Sequence, residues 1–205
     1  VAETIPPVPP GRAHTWLAAS THPGEEALVL QAHARIRERY PDARLILVPR
    51  HPERADEVLR LAESSGVSVG RWQGGTPPAE RPEVEVVDRA GVLAARFGEV
   101  PVVFMGGSLV PTGGHNPLEP AAVGRAVLTG PHVHNFRGVF AALADAGGER
   151  EVADAGSLAA AVVACFEAPA AWAAAGERAR AMIGAHRGAA ARLADQLAPW
   201  IDPGH

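Results

Sequence analysis

The chain has almost no cysteine, no lysine and no long apolar run. A single cysteine, Cys165, stands among 205 residues, which excludes a disulfide framework and favours a reducing compartment. Because Cys165 lies in an apolar, helix-like stretch, we interpret it as a small buried hydrophobic residue. All 19 basic residues are arginine, and the formal net charge of −4 gives no general electrostatic case for nucleic-acid binding.

No stretch approaches the roughly 20 apolar residues that a membrane-spanning helix needs. The N-terminus also lacks the basic and apolar regions of a signal peptide, so we expect the chain to be soluble. Residues 1–12 contain four prolines and predict a stiff linker: Pro6, Pro7, Pro9 and Pro10. Residues 13–205 are enough for one domain with a buried core.

Strand-like and helix-like segments alternate along the chain. This order predicts an α/β fold with a doubly wound, mostly parallel Rossmann-like sheet and helices on both faces. The predicted strands are residues 15–19, 44–48, 67–71, 84–87, 100–105, 126–129 and 149–152. The predicted helices are 25–39, 52–65, 91–97, 117–123, 136–146 and 157–167, followed by two packed helices within 170–200 that are broken at Gly184, Gly188 and Pro199. The glycines and prolines of 73–82 predict a surface connection.

The segment 106–120, with sequence GGSLVPTGGHNPLEP, combines two glycine turns with a helix start directly after a buried strand. Ligands of open α/β sheets bind at the C-terminal ends of strands, and glycine lets the backbone approach them closely. Asn116 fits a helix N-cap, Pro117 the first helical position and Glu119 a capping-box carboxylate. The segment therefore predicts a phosphate and ribose cradle, although a capped helix without a ligand fits the same spacing.

The same segment resembles the signature of the 3-deoxy-D-manno-octulosonic acid (Kdo) transferases of lipopolysaccharide synthesis. Further matches follow in the family's order: STHPGEE at 20–26, PRHPER at 49–54, GPH at 130–132, and then Asn135 and Phe136. The resemblance covers residues 16–140 well and the helical tail loosely. It implies that 13–205 form the C-terminal, donor-nucleotide-binding domain of a two-domain GT-B glycosyltransferase, whose N-terminal acceptor domain is absent here.

The resemblance also implies which residues bind the CMP part of the donor CMP-Kdo: Pro49, Arg50, Ala90, Gly91, Val92, Asn116, Pro117, Leu118 and Glu119. From the residues alone, Arg50 fits either a phosphate ligand or a surface arginine. Glu119 fits either a helix cap or an acceptor for ribose hydroxyls. Near Asp88 the chain departs from the family pattern, because Arg89 replaces a threonine and Val92 a glutamate. Arg89 either supplies a substitute charge for the phosphate or lies on the surface.

Histidines are frequent, yet they do not predict a metal site. The five of interest lack the paired helical spacing of a zinc site, and the family resemblance implies metal-independent enzymes without a cofactor: His22, His51, His115, His132 and His134. We expect His22 and His115 to be neutral hydrogen-bond partners of the donor. Glu25 and Glu26 fit the first turn of a helix, where acids are favoured.

We therefore predict the donor-binding half of an enzyme that transfers Kdo from CMP-Kdo to a lipid A precursor, on the cytoplasmic side of the bacterial inner membrane. The resemblance places the general base, a glutamate, in the absent N-terminal half, so no catalytic residue is assigned and the chain alone is expected to be inactive. Contacts with the acceptor and the membrane would also be made only by that half. Two alternatives remain: a nucleotide-binding module without transferase activity, and another GT-B nucleotide-sugar enzyme.

Overall fold

The computed structural model describes residues 5–72, 81–89 and 91–201, with side chains up to 185. Within these residues the chain forms one seven-stranded sheet in the order β3-β4-β2-β1-β5-β6-β7, in which every neighbouring pair is parallel. The strands are β1 (Thr15–Thr21), β2 (Arg44–Pro49), β3 (Val69–Trp72), β4 (Val84–Val87), β5 (Val102–Met105), β6 (Ala126–Thr129) and β7 (Glu149–Glu151). The predicted fold class is confirmed.

Helices cover both faces of this sheet. They are α1 (Glu25–Arg39), α2 (Ala55–Ser64), α3 (Leu93–Phe97), α4 (Leu118–Ala122), α5 (Arg137–Asp145), α6 (Ala155–Glu167) and α7 (Pro169–Ile201), with a short 3-10 turn at Pro52–Arg54. Side chains alternate along β1, so that Trp16 packs in the layer with α1, α2 and α6, while Leu17 packs in the layer with α3, α4, α5 and α7. Because both faces are covered, the central strands are continuous apolar runs.

The predicted tail of two packed helices is wrong, because 170–200 lie within the single helix α7. Gly184 and Gly188 each cost a helix only about 1 kcal/mol relative to alanine, and the alanine-rich sequence around them favours helix. Pro199 lies in the last turn of α7, so the backbone donor that it removes affects only the end of the helix. The predicted helix 52–65 is divided into the 3-10 turn and α2, and most of the predicted connection at 73–82 lies outside the described residues.

The described part of the predicted linker contacts the domain. The Arg125 guanidinium is buried and donates hydrogen bonds to the carbonyls of Pro6 (2.6 Å), Gly98 (2.8 Å) and Phe97 (3.1 Å). Burial lowers the pKa of Arg125. The linker boundary at residue 12 stays a prediction.

Candidate nucleotide-binding site

A cavity of about 340 Å³ lies at the edge of the sheet where the strands reach their C-terminal ends. Its walls come from the ends of β1, β2 and β5 and from the segments that follow β2, β4 and β5. The lining residues are Ser20, Val48, Pro49, Arg50, Pro52, Arg89, Gly91, Leu93, Phe97, Met105, His115, Asn116 and Glu119. This is the edge at which ligands of open α/β sheets bind.

Ser20 lines the cavity and has an unusual backbone conformation. It is an extra residue in the register between β1 and β2, and its φ of 57° lies in the left-handed region. The neighbouring position 106 has room only for glycine, because a Cβ there would lie 2.6 Å from the Ser20 carbonyl oxygen. The two backbones therefore meet tightly beneath the cavity.

Two arginines bring uncompensated positive charge to the cavity. The Arg50 side chain is exposed, and no hydrogen bond or ion pair joins it to the described part of the chain. Its backbone N–H donates to the Thr21 carbonyl (3.0 Å), which ties the turn after β2 to β1. Arg89 is likewise exposed and lines the same cavity. In contrast, Arg54 is held by Glu26, with Nη1 2.7 Å from Oε1.

Helix α4 begins at Leu118 and its capping position is Pro117, one residue later than the predicted N-cap Asn116. Asn116 Oδ1 accepts a hydrogen bond from the Leu118 N–H (3.0 Å), and Pro117 lies between them at the start of α4. Glu119 does not complete a capping box, since no backbone N–H donates to its carboxylate within the described residues. Its side chain is exposed and lines the cavity.

The glycine turn after β5 is closed by a carboxylate of the chain itself. Glu25 Oε1 accepts the N–H groups of Ser108 (3.1 Å) and Leu109 (2.9 Å), and Oε2 accepts those of Gly107 (2.7 Å) and His22 (3.2 Å). Burial raises the pKa of Glu25, and these four hydrogen bonds oppose that rise. The N–H groups of this turn are therefore already occupied by Glu25, and the phosphate and ribose cradle predicted over 106–120, which stays a prediction, is left with the rest of that segment.

A pair of histidines lies above this turn. The Nε2 atoms of His22 and His115 are 2.7 Å apart, and the two rings are nearly parallel with centroids separated by 5.0 Å. Burial lowers the pKa of both rings, that of His115 to about 4, so the pair is neutral at pH 7. Gly107 makes room for them, since a Cβ there would lie 3.1 Å from His115 Cδ2 and 3.3 Å from His22 Cδ2.

Similar proteins identify this domain. A relative from Haemophilus influenzae, described as a 3-deoxy-D-manno-octulosonic acid transferase, is 38% identical over 188 residues, or 91% of this chain and 44% of the relative. The crystal structure of the C-terminal CMP-Kdo binding domain of WaaA from Acinetobacter baumannii matches with a TM-score of 0.79 and 30% identity, over 85% of this chain and 90% of that one. The chain belongs to the Kdo transferase family.

The predicted resemblance is thus confirmed, and the chain spans less than half the length of the Haemophilus transferase. An O-GlcNAc transferase mutant from Thermobaculum terrenum shares the fold, with a TM-score of 0.57 and 19% identity over 90% of this chain and 34% of that one. This supports the predicted GT-B architecture. No protein-family model matches the chain.

The structure brings together five of the residues that the Kdo transferase resemblance implies: Pro49, Arg50, Gly91, Asn116 and Glu119 line the cavity. Pro117 is buried beside it, and Val92 packs into the apolar layer beneath. Leu118 is 37% exposed and lines a separate apolar groove near Phe136. Ala90 lies outside the described residues.

Sequence reasoning missed two contacts of this Kdo transferase domain: the Glu25 bonds to the turn after β5 and the His22–His115 pair. Each joins residues more than 80 positions apart, so no local spacing reveals it. Among the described residues, no group of three His, Cys, Asp or Glu side chains is arranged to hold a metal ion. In the same residues, no single helix meets the length and apolarity of a membrane span, and one pair meets them only jointly, across a bend of 105°.

Proposed function

We propose that this domain binds the CMP part of CMP-Kdo in the cavity at the C-terminal edge of the sheet. The observation that carries the proposal is that a cation, Arg50, and a carboxylate, Glu119, line one cavity, and the side chain of neither has a hydrogen-bond or ion-pair partner among the described residues. A guanidinium suits the phosphate, and a carboxylate suits the ribose hydroxyls. A volume of about 340 Å³ is within the range of small-ligand sites.

The remaining residues fit the rest of the nucleotide. We assign the backbone of Ala90, Gly91 and Val92 to contacts with the nucleotide, together with Pro49. Asn116, Pro117 and Leu118 supply the shape of the helix start. Arg89 lines the same cavity and adds a second positive charge for the phosphate.

In the proposed reaction, an acceptor hydroxyl attacks the anomeric carbon of Kdo as CMP leaves. Negative charge then grows on the phosphate, and Arg50 stabilises that charge electrostatically. The base would come from the rest of the enzyme. Two acids near the cavity are poorly suited to that role, because Glu25 is held by four N–H groups and Glu26 by Arg54.

The whole enzyme, in this proposal, transfers Kdo to a lipid A precursor at the cytoplasmic face of the inner membrane. The acceptor and the membrane, in this proposal, contact parts of the enzyme outside this domain. The chain is then one half of a catalyst, which distinguishes it from a nucleotide-binding module that acts alone.

Calorimetric titration of the chain with CMP, UMP and AMP tests the site. We expect CMP to bind more tightly than UMP and AMP, because the chain is proposed to serve a cytidine donor. Arg50→Ala should weaken CMP binding about tenfold or more and leave cytidine binding nearly unchanged, because the lost bond is to a charged phosphate. Arg60→Ala is the matched control, since Arg60 is an exposed arginine on α2 that does not line the cavity.

Equal affinity for the three nucleotides would overturn the cytidine assignment. Equal losses of affinity for CMP and cytidine in Arg50→Ala would show that Arg50 does not contact the phosphate. Absence of binding for all three would overturn the site itself.

A further inference from the structure

We propose that the His22–His115 pair takes up a proton when the phosphate of CMP becomes dianionic, and so neutralises part of the charge on the leaving group. This inference rests on the proposed CMP site. It assigns a function to two side chains that the nucleotide contacts above do not use. The pair would act as a proton store at the wall of the cavity.

The short distance between the rings requires a shared proton. With Nε2 atoms 2.7 Å apart, one nitrogen must donate and the other must accept, because two lone pairs or two N–H groups would repel each other. The neutral pair then carries two protons, of which one lies between the rings. One Nδ1 atom is left with a free lone pair, and this atom can accept a third proton.

Burial first, and then the charges around the pair, lower the pKa of both rings and favour the neutral pair. His22 faces His51, Arg54 and Arg50, which lower its pKa, and Glu26, which raises it. The nearby Glu25 accepts the backbone N–H of His22.

His115 faces His22, Arg50 and His51, all of which lower its pKa, and no acid opposes them among the described residues. A ligand with two negative charges beside Arg50 would supply the missing counter-charge. It would therefore raise the pKa of the pair toward neutral pH.

The charge balance of the transfer step gives this proton a use. In bound CMP-Kdo the phosphate is a diester with one negative charge. When the bond between the anomeric carbon and the phosphate oxygen breaks, both electrons stay on that oxygen and CMP becomes a dianion. The acceptor hydroxyl gives up one proton in the same step, and uptake of one proton by the pair, exchanged through the solvent, matches the added negative charge. An interaction that strengthens only as the leaving group departs favours the transition state over the bound donor.

Calorimetry in two buffers of different ionisation enthalpy measures the proton uptake directly. At pH 7.5 the second phosphate ionisation of free CMP, which has a pKa near 6, is largely complete. We expect CMP to take up roughly half a proton on binding, whereas its methyl ester, which keeps one charge, takes up much less. His115→Gln and His22→Gln should each abolish the difference between the two ligands.

His14→Gln is the matched control, because His14 precedes β1 at the opposite edge of the sheet and pairs with Asp42. It should leave the uptake unchanged. If a variant at position 22 or 115 fails to fold, NMR titration of the histidine ring nitrogens in the unmodified chain gives a second measurement. CMP should then raise the pKa of His115, and the methyl ester should raise it less.

The outcomes separate the two proposals. CMP binding without proton uptake, uptake that survives His115→Gln, or equal uptake with CMP and its methyl ester would each overturn the histidine inference and leave the CMP site standing. Failure of CMP to bind at all would overturn the proposed function.

Discussion

Replacing Glu25 by glutamine removes a charge that four backbone N–H groups share. In the native domain Oε1 accepts from Ser108 and Leu109, and Oε2 accepts from Gly107 and His22. A glutamine keeps one oxygen, so two of these N–H groups would face the amide NH₂ group instead. The side chain is fully buried, so water cannot replace the lost acceptor.

The size of the effect follows from the two orphaned donors. A buried donor without a partner costs about 1–3 kcal/mol, so two of them lower the free energy of unfolding by about 4 kcal/mol. This is a large share of the roughly 5–15 kcal/mol that stabilises an ordinary domain. In a chain of this length it corresponds to a fall in Tm of roughly 8–16 °C.

Thermal unfolding followed by circular dichroism measures this loss. Glu38→Gln makes the same chemical change at an exposed position of the same helix, and it should alter the free energy of unfolding by less than about 0.5 kcal/mol. If Glu25→Gln also costs less than about 1 kcal/mol, the carboxylate does not hold the turn after β5. Glu25 would then become a candidate base.

Three further predictions concern acid stability, the ribose and activity. Burial lowers the pKa of His33 to about 4, so the folded chain binds fewer protons than the unfolded chain. The free energy of unfolding should therefore fall as the pH drops from about 6.5 to 4, and the loss at pH 5 is about 2 kcal/mol. His33→Asn keeps an acceptor for the Trp16 indole N–H. In urea unfolding, this variant should remove most of the dependence of the free energy of unfolding on pH over this range. An unchanged pH dependence would assign the proton to another group. In calorimetry, Glu119→Gln should weaken the binding of CMP but not that of 2′,3′-dideoxy-CMP, and it should change the free energy of unfolding by less than about 1 kcal/mol. Equal losses of affinity for both ligands would show that Glu119 does not contact the ribose. The chain incubated with CMP-Kdo and a lipid A precursor should give no glycolipid by mass spectrometry, because the acceptor is not held beside the donor; any product would place the base in this half.

The sequence predicts the sheet well because its signals are local and strong. The apolar run of β2 is long enough for a strand buried on both faces, and the polar turns around it mark its ends. The tail is predicted less well, since Gly184 and Gly188 are weak helix breakers in an alanine-rich setting. Length and composition do not distinguish one long helix from two packed helices when each glycine costs only about 1 kcal/mol.

In the candidate site, too, local contacts could be predicted from the sequence and long-range contacts could not. Asn116 Oδ1 accepts a hydrogen bond from the N–H two residues further on, so this contact at the start of α4 can be inferred from a short stretch of sequence. The Glu25 contacts and the histidine pair depend instead on how the ends of β1 and β5 meet across the sheet. Their partners could be found from sequence only once the strand order was known.

The occupied turn after β5 changes where an anion can bind. A glycine turn with three inward N–H groups can bind either a phosphate or a carboxylate, because both present oxygens with negative charge. Here Glu25 takes that place from within the chain, so the turn becomes a fixed part of the wall. In the proposed site, an incoming phosphate would meet Arg50, Arg89 and the wall formed by His115. The Glu25 carboxylate would then stabilise the wall of the site, while the positive charge for the ligand would come from the segments that follow β2 and β4.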